Sequence, residues 1–160
     1  MTQYHNIQPV YNNQSQILIL GSFPSVKSRE GQFFYHHPQN RFWKVLAHIY
    51  HYPTPTTVNE KKEFLLKHHI ALWDVIARCD IQGSSDSSIA NVVINDISKI
   101  VTKAPIQMIY TNGQKAHQLY QKHCLSITHQ EDICLPSTSP ANATYSLEKL
   151  IEKWNIILQK

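Results

Sequence analysis

The stretch LILGSFPSVKSREGQFFYHHPQNRFWKV, residues 18–45, decides how the whole chain is read. It begins as an aliphatic strand that continues Gln16 and Ile17, then breaks at Gly21-Ser22-Phe23-Pro24. It next gathers Phe33, Phe34, Tyr35, His36, His37, Pro38 and Asn40 in one connection. A helical pattern follows over Asn40–Tyr50, with Phe42, Leu46 and Ile49 on one side and Trp43 beside them. Connecting loops face water, so rings gathered in one either pack it down or hold a ligand.

The rest of the chain repeats the alternation. His51-Tyr52-Pro53-Thr54-Pro55 ends the first helix, because proline disfavours helix at and before itself. Thr57-Val58-Asn59-Glu60 has the T-x-x-E pattern of a capping box and predicts a helix over Val58–His68. Ile70–Ile76 reads as a second strand, and residues 83–88 as a polar loop. Ile89–Thr102 places Ile89, Val92, Val93, Ile97, Ile100 and Val101 on a helical face, which predicts a helix closed by Pro105. Ile106–Tyr110 reads as a third strand, Thr111-Asn112-Gly113 as a turn into a helix ending near His123, and Asp132–Leu135 as a fourth strand. In the last helix Leu147, Leu150, Ile151, Trp154 and Leu158 form one stripe. The expected fold is α/β: a three-layer α/β/α sandwich around a central, mainly parallel four-stranded sheet, in a single domain over residues 1–160.

Composition fits such a fold. The chain has 160 residues, 42% hydrophobic and 16% charged, with a formal net charge of +4. That balance argues against disorder and mildly favours a polyanionic partner. Ile17–Leu20 is too short an aliphatic run to cross a bilayer, so no membrane association is expected. The first residues lack a basic start and an apolar segment, and the cytoplasm is the expected compartment. Cys79, Cys124 and Cys134 have no C-x-x-C spacing, which indicates neither a disulfide framework nor a zinc ribbon. His36-His37 and His68-His69 are adjacent pairs without acidic or Cys partners at ligand spacing, so neither a metal nor another cofactor is expected. A monomer is the expected state.

In a parallel sheet, ligands bind outside the carboxyl ends of the strands, where the loops after the first, third and fourth strands converge. Those loops offer Ser22, Ser25, Tyr35, His36, His37 and Asn40, then Asn112, Gly113 and Lys115, then Ser137, Thr138, Ser139 and Asn142. The first and fourth hold no acid in their core motifs, which serves poorly a hydrolase that needs a strong base or a carboxylate-held metal. Cleavage of an N-glycosidic bond tolerates such a site. Once the base departs, the sugar is an electrophile for which water needs positioning more than deprotonation, and polar donors stabilise charge on the departing base.

LGSFP…FFYHHPQNRFWKVL resembles the first signature of the uracil-DNA glycosylase superfamily, with a Gly-x-x-Pro turn and a His-Pro-x-Asn-x-Phe-Trp run. LPSTSPANA, residues 135–143, is similar to its second signature. LWDVIARCDIQGSSDSSI (72–89) and YTNGQKA (110–116) resemble the intervening segments of its hypoxanthine-DNA (deoxyinosine) glycosylase branch. Many relatives place Asn or Asp two positions before the first motif proline, to orient the attacking water; this chain has Ser22 there. The resemblance therefore implies Asn40 as the group that positions water, with Ser22 as its catalytic neighbour. It implies that Tyr35 stacks on an extruded base, with Phe23, His37 and Ser137 also binding that base. Asn112, Gly113, Lys115, Ser139 and Asn142 would face DNA, where a helix N-terminus receives a phosphate. The implied activity is monofunctional excision of deaminated bases from DNA, hypoxanthine above all, in base excision repair, without metal or a covalent lysine intermediate.

Structural readings stand beside these. Asn is a preferred helix cap, so Asn40 serves equally as an N-cap. Residues 137–139 suit an ordinary turn cluster. Phe42 and Trp43 belong to a core face, Asp74 to a structural role, and Asp86 is left without a role. Two other functions remain open: a glycosylase for uracil mispaired with guanine, and a nucleic-acid or nucleotide binding module without catalysis.

Overall fold

A computed structural model describes residues 2–158. In chain order the first elements are β1 (Thr2–Tyr4), β2 (Ile17–Gly21), α1 (Val26–Gly31), α2 (Phe42–Ile49), α3 (Val58–Lys67), β3 (Ile70–Asp74) and β4 (Ile76–Asp80). They are followed by β5 (Ala90–Ile94), α4 (Ser98–Lys103), β6 (Met108–Asn112), α5 (Gln114–His123), α6 (Leu125–Thr128), β7 (Asp132–Leu135) and α7 (Leu147–Trp154). Short 3-10 turns span Asp86–Ser88 and Asn155–Leu158.

The expected central sheet is present and fully parallel, in the order β3-β2-β6-β7. Every residue of β2 and β3 is buried, as strands covered on both faces require. The register sets the strand ends level: Gly21 pairs with Asp74, Leu20 with Thr111, and Asn112 with Leu135. The loops that leave these ends therefore start side by side. Val10 bridges to Leu72 and covers the outer edge of β3.

Two expectations change. Ile70–Ile76 is not one strand, because the chain leaves the parallel sheet after Asp74 and enters a separate antiparallel sheet in the order β1-β4-β5. Buried Asn95 splints that break, its amide donating to Asp74 O (2.9 Å) and Ile76 O (3.2 Å). Nor is Ile89–Thr102 one helix: Ala90–Ile94 is β5, and the helix covers Ser98–Lys103 alone. Its β-branched residues fit a strand as well as a helix face, and pairing with β4 decided between them. The capping box is as expected, with Thr57 accepting from Glu60 N and Glu60 from Thr57 N. Leu158 is exposed, because the last turn tightens to 3-10 at Asn155 and rotates it out of the stripe.

Core aromatics also fix the loops. Each of the three indole N–H groups donates to a loop carbonyl: Trp43 to Phe34, Trp73 to Ile7 and Trp154 to Pro136. Among the described residues no helix is long and apolar enough to cross a membrane.

Candidate active site

At the carboxyl ends of the parallel strands lies a cleft of about 110 Å³. Gly21, Tyr35, Asn40, Asp74, Asp86 and Asn112 are among its lining residues, with Ser22 to Ser25 and Ser137 to Ser139. It opens beside a groove of about 860 Å³ that includes Gly113, Lys115, Asn142, Tyr145 and Lys153. The cleft is well below the ~300–1,000 Å³ of a drug-sized ligand site. Cleft and groove adjoin through the lining residues they share, Ser84, Asp86, Ser137 and Ser139.

One wall is neutral and heavily cross-tied, with fully buried Thr138 at its centre. Thr138 N donates to Asn112 Oδ1 (3.0 Å), Asn112 Nδ2 to Thr138 Oγ1 (3.0 Å), and Thr138 Oγ1 to Asn40 Oδ1 (2.9 Å). Asn40 Oδ1 also accepts from Phe42 N at 2.9 Å and so supports the start of α2. Both partners of that oxygen are donors, which fixes the orientation of the amide. The N-cap of α2 is Arg41, not Asn40; Asn40 closes a turn just ahead of it and lines the cleft, and what it offers a ligand is its Nδ2 donor. Arg41 grips the same loop, donating from its guanidinium to Ser139 O (2.9 Å), Asn142 O (3.1 Å) and Tyr145 O, and from its backbone to Thr138 O (3.1 Å).

The opposite wall is ionic. Asp74 Oδ2 accepts from His5 Nε2 at 2.9 Å, with both side chains buried. Ile7 N donates to His5 Nδ1, so the ring proton sits on Nε2. Asp86 Oδ1 accepts from Ser22 Oγ at 3.1 Å. Burial pushes the Asp86 carboxyl up and Asp74 pushes it further, against the Ser22 hydrogen bond and Lys115, which lower it. The sequence reading of a carboxylate-poor cleft is therefore corrected. Both acids come from the β3–β5 segment rather than from the motif loops.

Tyr35 sits on the floor with a left-handed backbone, φ 52°. One ring face is covered by Phe42, with centroids 4.1 Å apart, so at most the other face is free to stack. Its hydroxyl is buried with no partner at hydrogen-bond geometry, and burial followed by the charge of Asp74 raises its pKa, against the nearby Asn112 amide, which lowers it. A Cβ on Gly21 would overlap Asp74 Oδ1 and come within 2.9 Å of Tyr35 Oη, so this position must stay bare. Gly113, at φ 98°, lets the start of α5 approach Ser137.

Of the residues expected at the site, Ser22, Phe23, Tyr35, Asn40, Asn112, Ser137 and Ser139 line the cleft. Phe23 is buried, with the Arg29 guanidinium over its ring at 5.4 Å. Asn112 is committed to Thr138 through both ends of its amide. Gly113, Lys115 and Asn142 line the groove; Asn142 also shapes its own loop through Nδ2 to Ser137 O. His37 lines neither space, and its Nδ1 accepts from Gln39 N. Thr138 was offered by its loop without a role, and Arg41, His5 and Asp74 were not singled out for the site, since each acts through partners far away in sequence. No group of three or more His, Cys, Asp or Glu suited to a metal ion occurs among the described residues.

The fold that holds this cleft is shared with known proteins. The family model of the Uracil DNA glycosylase superfamily matches residues 8–159, and the chain belongs to that superfamily. A protein of Methanosarcina acetivorans named hypoxanthine DNA glycosylase is 35% identical over 152 residues, 94% of each chain. One of Methanosarcina barkeri with the same name is 32% identical over 136 residues, 84% of this chain and 85% of that one. The solution NMR structure of a Methanosarcina acetivorans protein assigned as a uracil DNA glycosylase superposes with a TM-score of 0.84 at 32% identity. It covers 99% of this chain and 98% of that one.

Proposed function

We propose that the protein is a monofunctional DNA glycosylase that hydrolyses the N-glycosidic bond of deaminated nucleotides, with hypoxanthine as its principal base. The observation that carries this reading is a small cleft adjoining a larger groove that bears Lys115 and Lys153. An extruded base fills the cleft while the backbone stays in the groove, and its phosphates meet the two lysines. Tyr35 meets the base with its free ring face and its unpaired hydroxyl. Asn40 donates from Nδ2 to the oxygen of the attacking water; with its own oxygen occupied, it orients that water and cannot take its proton. Thr138 and Arg41 hold the wall on which Asn40 stands. The names of the two Methanosarcina relatives support hypoxanthine as the base.

The test is single-turnover excision on duplexes holding one inosine or one uracil, with abasic sites revealed by alkali. Cleavage at inosine above uracil is expected, with loss of rate in Asn40→Ala. Faster cleavage at uracil would replace the proposed base, and no cleavage of either duplex would overturn the reading. Binding to the inosine duplex should weaken with salt, as phosphate contacts require.

A further inference from the structure

We propose that Asp86 is the general base of this hydrolysis, a catalytic residue brought to the scissile bond by the 83–88 loop. This rests on the glycosylase reading above. Four residues line both the cleft and the groove: Ser84, Asp86, Ser137 and Ser139. If the base occupies the cleft and the phosphates the groove, the bond joining base to sugar crosses that junction. Asp86 is the ionisable member of the four.

The carboxylate is held in place rather than left on a free loop. Ser84 Oγ accepts from Val26 N at 2.9 Å. Arg29 donates to Gly83 O at 3.0 Å and to Pro24 O at 3.1 Å, tying the 83–88 loop to the turn after β2. Ser22 Oγ then fixes Asp86 Oδ1, and among the described residues no group bonds Oδ2. Asp86 is an exposed residue, so an acid here with one oxygen unengaged does little for the fold. The buried, unpaired Tyr35 hydroxyl on the cleft floor marks the same space as one that awaits a ligand.

The chemistry balances. The C1′–N bond breaks with its electron pair passing to the base, and the water oxygen forms the new bond to C1′. One water proton passes to Asp86 Oδ2, and Asp86 later returns it to solvent. The departing base takes a proton from solvent, leaving a free base and an abasic sugar. The groups facing Asp86 are Asp74 from β3, Lys115 from α5 and the neutral Ser22 hydroxyl. Burial and Asp74 outweigh Lys115 and Ser22, so its ionisation moves above the ordinary carboxylate range, towards the pH at which a base is most effective. A base acts when ionised, so activity is lost as pH falls through that raised value.

The experiment is single-turnover excision from an inosine duplex by the full chain, from mildly acidic to mildly alkaline pH, with thermal stability and duplex binding measured in parallel. Asp86→Asn is expected to fold, to bind the duplex, and to lose about 10²–10⁴-fold in rate. The acidic fall seen in the natural protein should vanish from its residual activity, and Asp86→Glu should recover part of the rate. A purely structural role would lower stability without altering the pH profile. If Asp86→Asn proves unstable, Asp86→Ser is read the same way. A rate within a few-fold of the natural protein in a folded variant overturns the assignment while the glycosylase reading stands. If the natural protein excises neither base, both fall together.

Discussion

The two walls of the cleft are built on opposite principles. On the Asn40, Arg41 and Thr138 side the polar groups are tied between loops distant in sequence, with Arg41 Nε the buried atom left without a partner. On the Ser22, Asp74 and Asp86 side two carboxylates approach each other, and the nearby Tyr35 hydroxyl has no partner. A satisfied network gains rigidity, whereas groups left unsatisfied cost stability and are free to act on a ligand. The first wall holds a shape; the second is prepared for chemistry.

Substitutions measure that contrast. Arg41→Leu removes the charged donor from three carbonyls and should cost about 2–4 kcal/mol in denaturant unfolding, with loss of excision. Thr138→Val leaves Asn112 and Asn40 short of a partner and should cost about 1–3 kcal/mol, most of it regained in Thr138→Ser.

Away from the cleft, Thr57→Ala should cost about 1 kcal/mol through the lost cap, with activity unchanged. Backbone hydrogen bonds from Thr56 and Thr57 hold the Glu60 carboxyl down at about 2. A lowered carboxyl stabilises above its ordinary value and stops doing so as pH falls through its folded one. Thr57→Ala keeps those backbone donors, so the variant that reads this contribution is Glu60→Gln. Its stability gap to the natural chain should shrink as pH falls from the ordinary carboxylate range to about 2, as melting temperatures would record.

Asp86→Asn should cost no stability at neutral pH, because an acid with a raised pKa is a burden when ionised. If it destabilises the chain as much as Arg41→Leu does, the contrast between the walls is wrong.

Much of the fold was legible. Gln16–Leu20, the Thr57–Glu60 box and the turn at Asn112-Gly113 each announce an element through local pattern, and their order gives the parallel sheet. The segment 89–102 departs from its expected helix because its six β-branched residues on that face satisfy both periods when the run is short. At the site, the motif residues Ser22, Tyr35, Asn40 and Ser137 could be named because they sit in three loops that the topology brings to one edge. Asp74 and Asp86 were seen and not placed, since nothing local tells a strand-end acid or a serine-loop acid that it faces a cleft.

The sequence by itself determined where the four strands of the parallel sheet begin along the chain and the edge where chemistry gathers, because hydrophobic period and turn residues act over a few neighbours. The second sheet and the order of strands within each came from the tertiary structure. The partners of each polar group were decided by the tertiary structure alone. Hydrogen bonds such as Thr138 to Asn40 or Ser22 to Asp86 join residues far apart in the chain, and they exist only once the packed sheet has set their loops within 3.1 Å of each other.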